Sequence, residues 1–99
     1  MTDTDKLAML KIDLGITNDH YDERLRQYLG FATDEIKREG IKLLADNLSD
    51  DNLQIMYAAW MWRKRQDGDD MPRMLRRALN NRLMSQKMKR LKRRRKRNG

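Results

Sequence analysis

The sequence predicts an all-α fold: a small bundle of four to five helices, ending in a basic helical extension and assembling with copies of itself. Three observations carry this expectation. Apolar residues recur at helical spacing, in segments that Gly15 and Gly40 close. The stretch 52–62, NLQIMYAAWMW, holds no charge in a chain that is 38% charged. Wound at about 100° per residue it is apolar almost all round, with Leu53, Met56, Tyr57, Trp60 and Met61 on one face and Ile55, Ala58, Ala59 and Trp62 on the other. Finally, residues 1–70 carry 10 Lys and Arg against 15 Asp and Glu, a net −5, whereas residues 71–99 carry 13 against none, a net +13.

The elements follow in order. Thr4 or Asp5 caps a short first helix in which Leu7, Leu10 and Leu14 share a face, and Gly15 stops it. Asn18 or Asp19 caps the next, whose first turn holds Asp19, Asp22 and Glu23 and whose stripe is Tyr21, Leu25, Tyr28, Leu29, Ala32 and Ile36. On its outer surface Asp22 stands four residues before Arg26, and Asp34 four before Arg38. Residues 41–48 fit an extended apolar loop and an extra helical turn equally well. Ser49 or Asp50 caps the central helix, with Asp50 and Asp51 in its first turn and Arg63, Lys64 and Arg65 in its last. A loop, 66–70, leads to Pro72, which suits a first helical position because its φ is fixed and its missing N–H is not needed there. Beyond it Leu75, Ala78, Leu79 and Leu83 form one stripe, but Met84, Met88 and Leu91 lie about 180° away on a continuous helix. Either the helix breaks near Asn80 and Asn81 or the second stripe serves another surface. A helical domain over 1–85 and a basic tail over 86–99 result.

An all-round apolar helix needs cover on more than one side, and 99 residues supply few other helices. The expectation is therefore self-assembly through Ile55, Ala59 and Trp62, opposite the stripe that the first two helices cover. With no cysteine, disulfides, thiolate metal sites and cysteine nucleophiles are excluded. The longest uncharged run is far short of the roughly 20 residues that span a bilayer, so a soluble cytosolic product with no membrane partner is expected.

No catalytic machinery is evident, and no cofactor. His20, the one histidine, stands with Asp19, Asp22 and Glu23 at a helix start, where acids complement the helix dipole, and no second nitrogen or sulfur ligand accompanies it. Asp67, Gly68, Asp69 and Asp70 resemble a calcium loop, but the sixth position is Pro72 and the twelfth Ala78, where glycine and glutamate belong. No Gly-rich phosphate loop is present, and neither Ser49 nor Ser85 has a base beside it in sequence. The tail, 87–97, holds nine Lys and Arg among eleven residues. A solvated tail has no use for the apolar stripe within it. A basic amphipathic helix can instead dock on an acidic protein, a membrane surface or nucleic acid.

The order of parts resembles the head-tail connector, or adaptor, family of tailed bacteriophages. The likeness spans roughly residues 7–85. It rests on a leading helix with Leu10, Lys11, Ile12 and Asp13, and on an acidic connector into a long helix with Leu25, Leu29, Ala32 and Ile36 that closes at Gly40. It continues with the apolar helix from Leu53 to Trp62 ending in Arg63, then Met71 and Pro72 with Leu75, Leu79 and Leu83 after them. The resemblance implies a structural virion protein of the neck, acting in head completion after viral genome packaging, with the host cytoplasm as its place of assembly. Its subunits would form a homo-oligomeric ring, a dodecamer, beneath the portal protein. That ring would extend the channel through which genomic DNA passes and give a platform for a downstream stopper or tail-completion protein. The portal-docking residues would be Met84, Lys87, Met88, Lys89, Arg90, Leu91, Lys92, Arg93 and Arg94. The competing expectation is a small basic nucleic-acid-binding protein, against which stand the acidic body and aromatic residues set in apolar stripes rather than among cations.

Overall fold

The computed structural model of the protein describes the backbone of residues 1–68 and 70–98, and the side chains of these except 66, 67 and 95–98. The described chain is all-helical, with α1 (Asp3–Leu14), α2 (Asp22–Arg38), α3 (Leu48–Asp67) and α4 (Arg73–Asn98). Local chemistry sets the ends. Thr2, rather than Thr4 or Asp5, caps α1: its hydroxyl accepts from Asp5 N–H at 3.1 Å and the Asp5 carboxylate accepts from Thr2 N–H at 3.2 Å. Gly15 ends α1 in the left-handed region, φ 69°. α2 begins later than expected, because the Asn18 side chain accepts from His20 N–H and holds a turn there instead of capping a helix.

α3 is the centre of the molecule, packed against α1, α2 and α4. Leu53, Ile55, Tyr57, Ala58, Ala59 and Trp62 are all buried within the single chain. α1 runs parallel to α3, tied at one end by Lys6 and Asp51 (3.5 Å) and at the other by Arg63, which donates to the Asp13 carbonyl at 2.9 Å. α2 contributes the buried Leu25, Leu29, Ala32 and Ile36, the stripe that its sequence announces. α4 returns antiparallel, so that Leu75 and Leu79 reach the core while Arg82 stands opposite Asp50 at the start of α3.

These contacts correct the expected self-assembly face. Ile55 and Ala59 are each 3% exposed and Trp62 6%, inside the chain's own core. Asp51 and Arg63 mark the two ends of that side of α3, and α1 lies along it. Tyr21, just before α2, and Tyr28 within it close over the Trp62 ring edge to face, with centroids 5.5 and 5.3 Å away. α1 and α2 thus cover this face of α3 without a second copy. What stays partly open is the opposite stripe, Met56, Trp60 and Met61.

Residues 41–44 run extended, with Ile41 buried and Leu43 half-buried, and a turn at 45–46 places Asp46 in the left-handed region at φ 56°. Asn47, two residues before Ser49 and three before Asp50, the expected caps, accepts from Asp50 N–H at 3.0 Å and opens α3. α3 also runs two residues into the expected 66–70 loop, ending at Asp67 with Gly68 in the left-handed region. The Pro72 carbonyl accepts from Arg76 N–H at 3.1 Å, so Pro72 opens α4 rather than kinking a longer helix. α4 does not break at Asn80 and Asn81. The expected i,i+4 pairs give way to better partners: Asp22 meets Lys11 of α1 at 2.8 Å, and Arg38 meets Glu35.

Burial makes two expectations concrete. Trp62→Glu should unfold the monomer, and Trp62→Ala should cost about 3–5 kcal/mol; a denaturant titration followed by helical circular dichroism would show it. Pro72→Ala should cost well under the roughly 3 kcal/mol of an interior proline. Amide exchange should show protection interrupted between α3 and α4.

Candidate docking surface

The features that sequence reading left without intramolecular use lie on the second half of α4. Met84, Met88 and Leu91 are 61%, 50% and 52% exposed. At about 100° per residue they fall within some 60° of arc. Leu75, Leu79, Arg82 and Gln86 occupy the opposite side, which faces the body. Lys87 and Arg94 flank the apolar stripe on one edge and Lys92 on the other. Lys89, Arg90 and Arg93 continue the body-facing side beyond the point where the body ends. All of these cations are exposed, and the side chains of Arg95, Lys96 and Arg97 lie outside the described residues.

What positions this surface is a polar clamp one turn earlier. Arg82 donates twice to the Asp50 carboxylate, from Nε to Oδ1 at 2.6 Å and from Nη2 to Oδ2 at 3.1 Å, and also to the Lys42 carbonyl at 2.9 Å. Asp50 Oδ2 accepts from Leu44 N–H at 2.8 Å as well. Gln86 reads the same connection with both ends of its amide, donating to the Gly40 carbonyl and accepting from Lys42 N–H, each at 2.8 Å. Earlier on α4, Arg76 pairs with Glu39. The connection 40–44 is thus held between α3 and α4, and α4 is fixed in register and rotation where its free segment begins.

Asp50 is 2% exposed. Burial pushes its carboxyl up, but the Arg82 and Leu44 hydrogen bonds and the charges of Arg82 and Lys89 outweigh that and hold it below its ordinary 3.8. The bond to Asp50 raises Arg82 in turn. A bidentate pair of this geometry gives direction as well as energy.

The portal-docking residues expected from sequence are therefore brought together on one exposed helical segment, while Ile55, Ala59 and Trp62 are not on any surface. Sequence reading missed the clamp. Its trace was present as Arg82 and Gln86, two polar residues continuing the Leu75 and Leu79 stripe at spacings of three and four. Of the calcium-like stretch, Asp69 and the Asp67 side chain lie outside the described residues. Among the described residues no group of three or more His, Cys, Asp or Glu is placed to hold a metal ion, and no helix is long and apolar enough to cross a membrane. No protein-family model, curated protein or solved structure matches the chain.

Arg82→Met should destabilise the body by about 3 kcal/mol near neutral pH, because it leaves the Asp50 charge buried with only a backbone partner. The pH dependence has a defined sign. Asp50 titrates lower in the folded chain than in the unfolded one, so the stability it contributes is fully present above its unfolded pKa and is lost as pH falls through the folded value. The difference between wild type and Arg82→Met should accordingly shrink below about pH 4, as urea midpoints at stepped pH would record.

Proposed function

We propose that the chain is a head-tail connector of a tailed bacteriophage, a structural subunit of a ring that sits under the portal, extends the DNA channel and offers the platform for the next neck protein. The observation that carries this reading is the stripe of Met84, Met88 and Leu91, left half exposed on a helix that the Arg82 and Gln86 clamp holds rigidly against the body. A helix presented in this way suits insertion into a groove of a larger acidic partner, where apolar anchors give affinity and flanking cations give orientation and rate. The helical body, its α1 and α2 stripes and the Pro72 start of α4 support the resemblance to that family. In this reading the basic second half of α4 is a docking extension, and the portal is its partner.

A second reading, a small basic nucleic-acid-binding protein, draws on Lys89, Arg90 and Arg93, which line the side of α4 opposite the stripe with nothing of the body over them. Phosphate contacts would need these charges and no apolar residue. The two readings separate on one double variant. Met88→Asp with Leu91→Asp should abolish attachment to portal-bearing capsids while circular dichroism and thermal midpoint stay unchanged, since both residues lie outside the core. Binding to free DNA should fall only modestly, as it follows the number of phosphates neutralised, with a salt slope of about −0.9 per contact. Attachment that survives the double change but disappears when residues 93–97 are neutralised would overturn the docking helix in favour of a purely electrostatic tail.

A further inference from the structure

Two exposed features on opposite sides of α3 remain unused by the body and by the α4 surface. The first is an open groove of ≈ 390 Å³ lined by Glu35, Tyr57, Trp60, Met61, Lys64 and Arg65. It is the one stretch of the all-apolar helix that α1, α2 and α4 leave half covered. Its chemistry is that of an unfilled contact. Tyr57 meets Trp60 edge to face at 5.5 Å, and the Lys64 ammonium lies 5.0 Å above the Trp60 ring. The Trp60 indole N–H is shut off from solvent and meets no acceptor among the described residues. Trp, Tyr, Met and Arg are enriched at protein interfaces, and a buried donor without an acceptor is a standing cost.

The second feature is the outer ridge of α1. Met9 and Ile12 are 40% and 70% exposed there, and Asp5 and Asp13 flank them, both exposed. α1 lies along the Asp51, Ile55 and Ala59 side of α3, whereas Tyr57, Trp60, Met61 and Lys64 lie roughly 160° around the same helix.

We propose that the groove on α3 of one copy receives the α1 ridge of a second copy. Charge selects the occupant. The groove rim carries Lys64 and Arg65 against the single Glu35, which suits an apolar ridge edged by aspartates and rejects the other exposed stripe, Met84, Met88 and Leu91, whose edges are all cationic. Asp13 of the incoming copy pairs with Lys64 at the groove rim. Donor and acceptor surfaces stand on opposite sides of each copy, so the contact is heterologous and propagates from copy to copy, closing into a ring where the rotation allows. The contact deepens the ring reading above and rests on it for closure only.

The absence of cysteine makes the test direct. Ile12→Cys with Met61→Cys in one chain should give, under mild oxidation, a ladder of disulfide-linked dimers, trimers and larger species. The two single variants mixed should stop at dimers, and each alone should give none. Ile12→Cys with Lys64→Cys, both exposed sites, should repeat the ladder should Met61→Cys disturb folding. Adding Asp13→Lys should cut the yield about tenfold, through like charge against Lys64. No ladder from either pair, or dimers from Ile12→Cys alone, would overturn the proposal. A ladder without capsid attachment would keep this contact and remove the connector reading; attachment without a ladder would do the reverse.

Discussion

The first two turns of α3 hold the molecule together through three buried polar side chains, each committed to a different helix. Asp50 takes Arg82 of α4 at 2.6 Å, Asp51 takes Lys6 of α1 at 3.5 Å, and Gln54 donates to the Leu29 carbonyl of α2 at 3.0 Å. Apolar burial alone would not fix this arrangement. A helix that is hydrophobic on every side can rotate among its neighbours at little cost, and Met56, Ala58, Ala59 and Met61 give it few shapes that resist rotation. Placing one polar tie toward each neighbour removes that freedom, because any rotation leaves a buried charge or amide unpaired. The two aspartates also sit in the first turn, where the helix dipole favours them, so position and partner act in the same direction.

The sequence carried the helices and their inner faces because these depend on local spacing. Leu7 and Leu10, Leu25 to Ile36, and Leu75 and Leu79 are core residues at positions that periodicity alone assigns. Helix starts were less legible. Several polar residues stand near each, and tertiary partners decide between them: Asp50 looks like a cap, yet it is drawn to Arg82 and Leu44, and Asn47 does the capping instead. Least legible of all was which side of α3 is covered. Periodicity divides a helix into faces but does not say which neighbour takes which face, and here α1 and the Tyr21 and Tyr28 rings cover the face with Trp62. With that face buried, the part of α3 left half covered is the stripe with Trp60 and Met61.

The clamp also explains why one continuous helix carries two incompatible stripes. Up to Gln86, α4 is committed to the body through Leu75, Arg76, Leu79, Arg82 and Gln86, all on one side. In an antiparallel pairing where Arg82 reaches the start of α3, the residues after Gln86 run past the end of α3. A helix of 26 residues is about 39 Å long, which accounts for a longest dimension of 56 Å against 17 Å for the shortest. The radius of gyration, 15.4 Å, exceeds the roughly 13 Å of a compact chain of this size. Beyond that point no body surface remains for a stripe to face, so the phase of the apolar residues is free to serve something else.

Charge follows the same division. Cations of the first part of α4 meet acids of the body, Arg76 with Glu39 and Arg82 with Asp50. After Gln86 there is no acidic residue in the sequence at all, so the helix gains nothing from i,i+4 ion pairs and loses a few tenths of a kcal/mol at each like-charged pair. Cations near its C-terminus recover part of this through the helix dipole. A segment of this kind is stabilised by an anionic surface more than by itself, and the gain on docking includes relief of its own repulsion. Salt relieves that repulsion too, which separates two effects in one titration: screening should strengthen the free helix while weakening its attachment. A simple solvated tail would respond only in the first way.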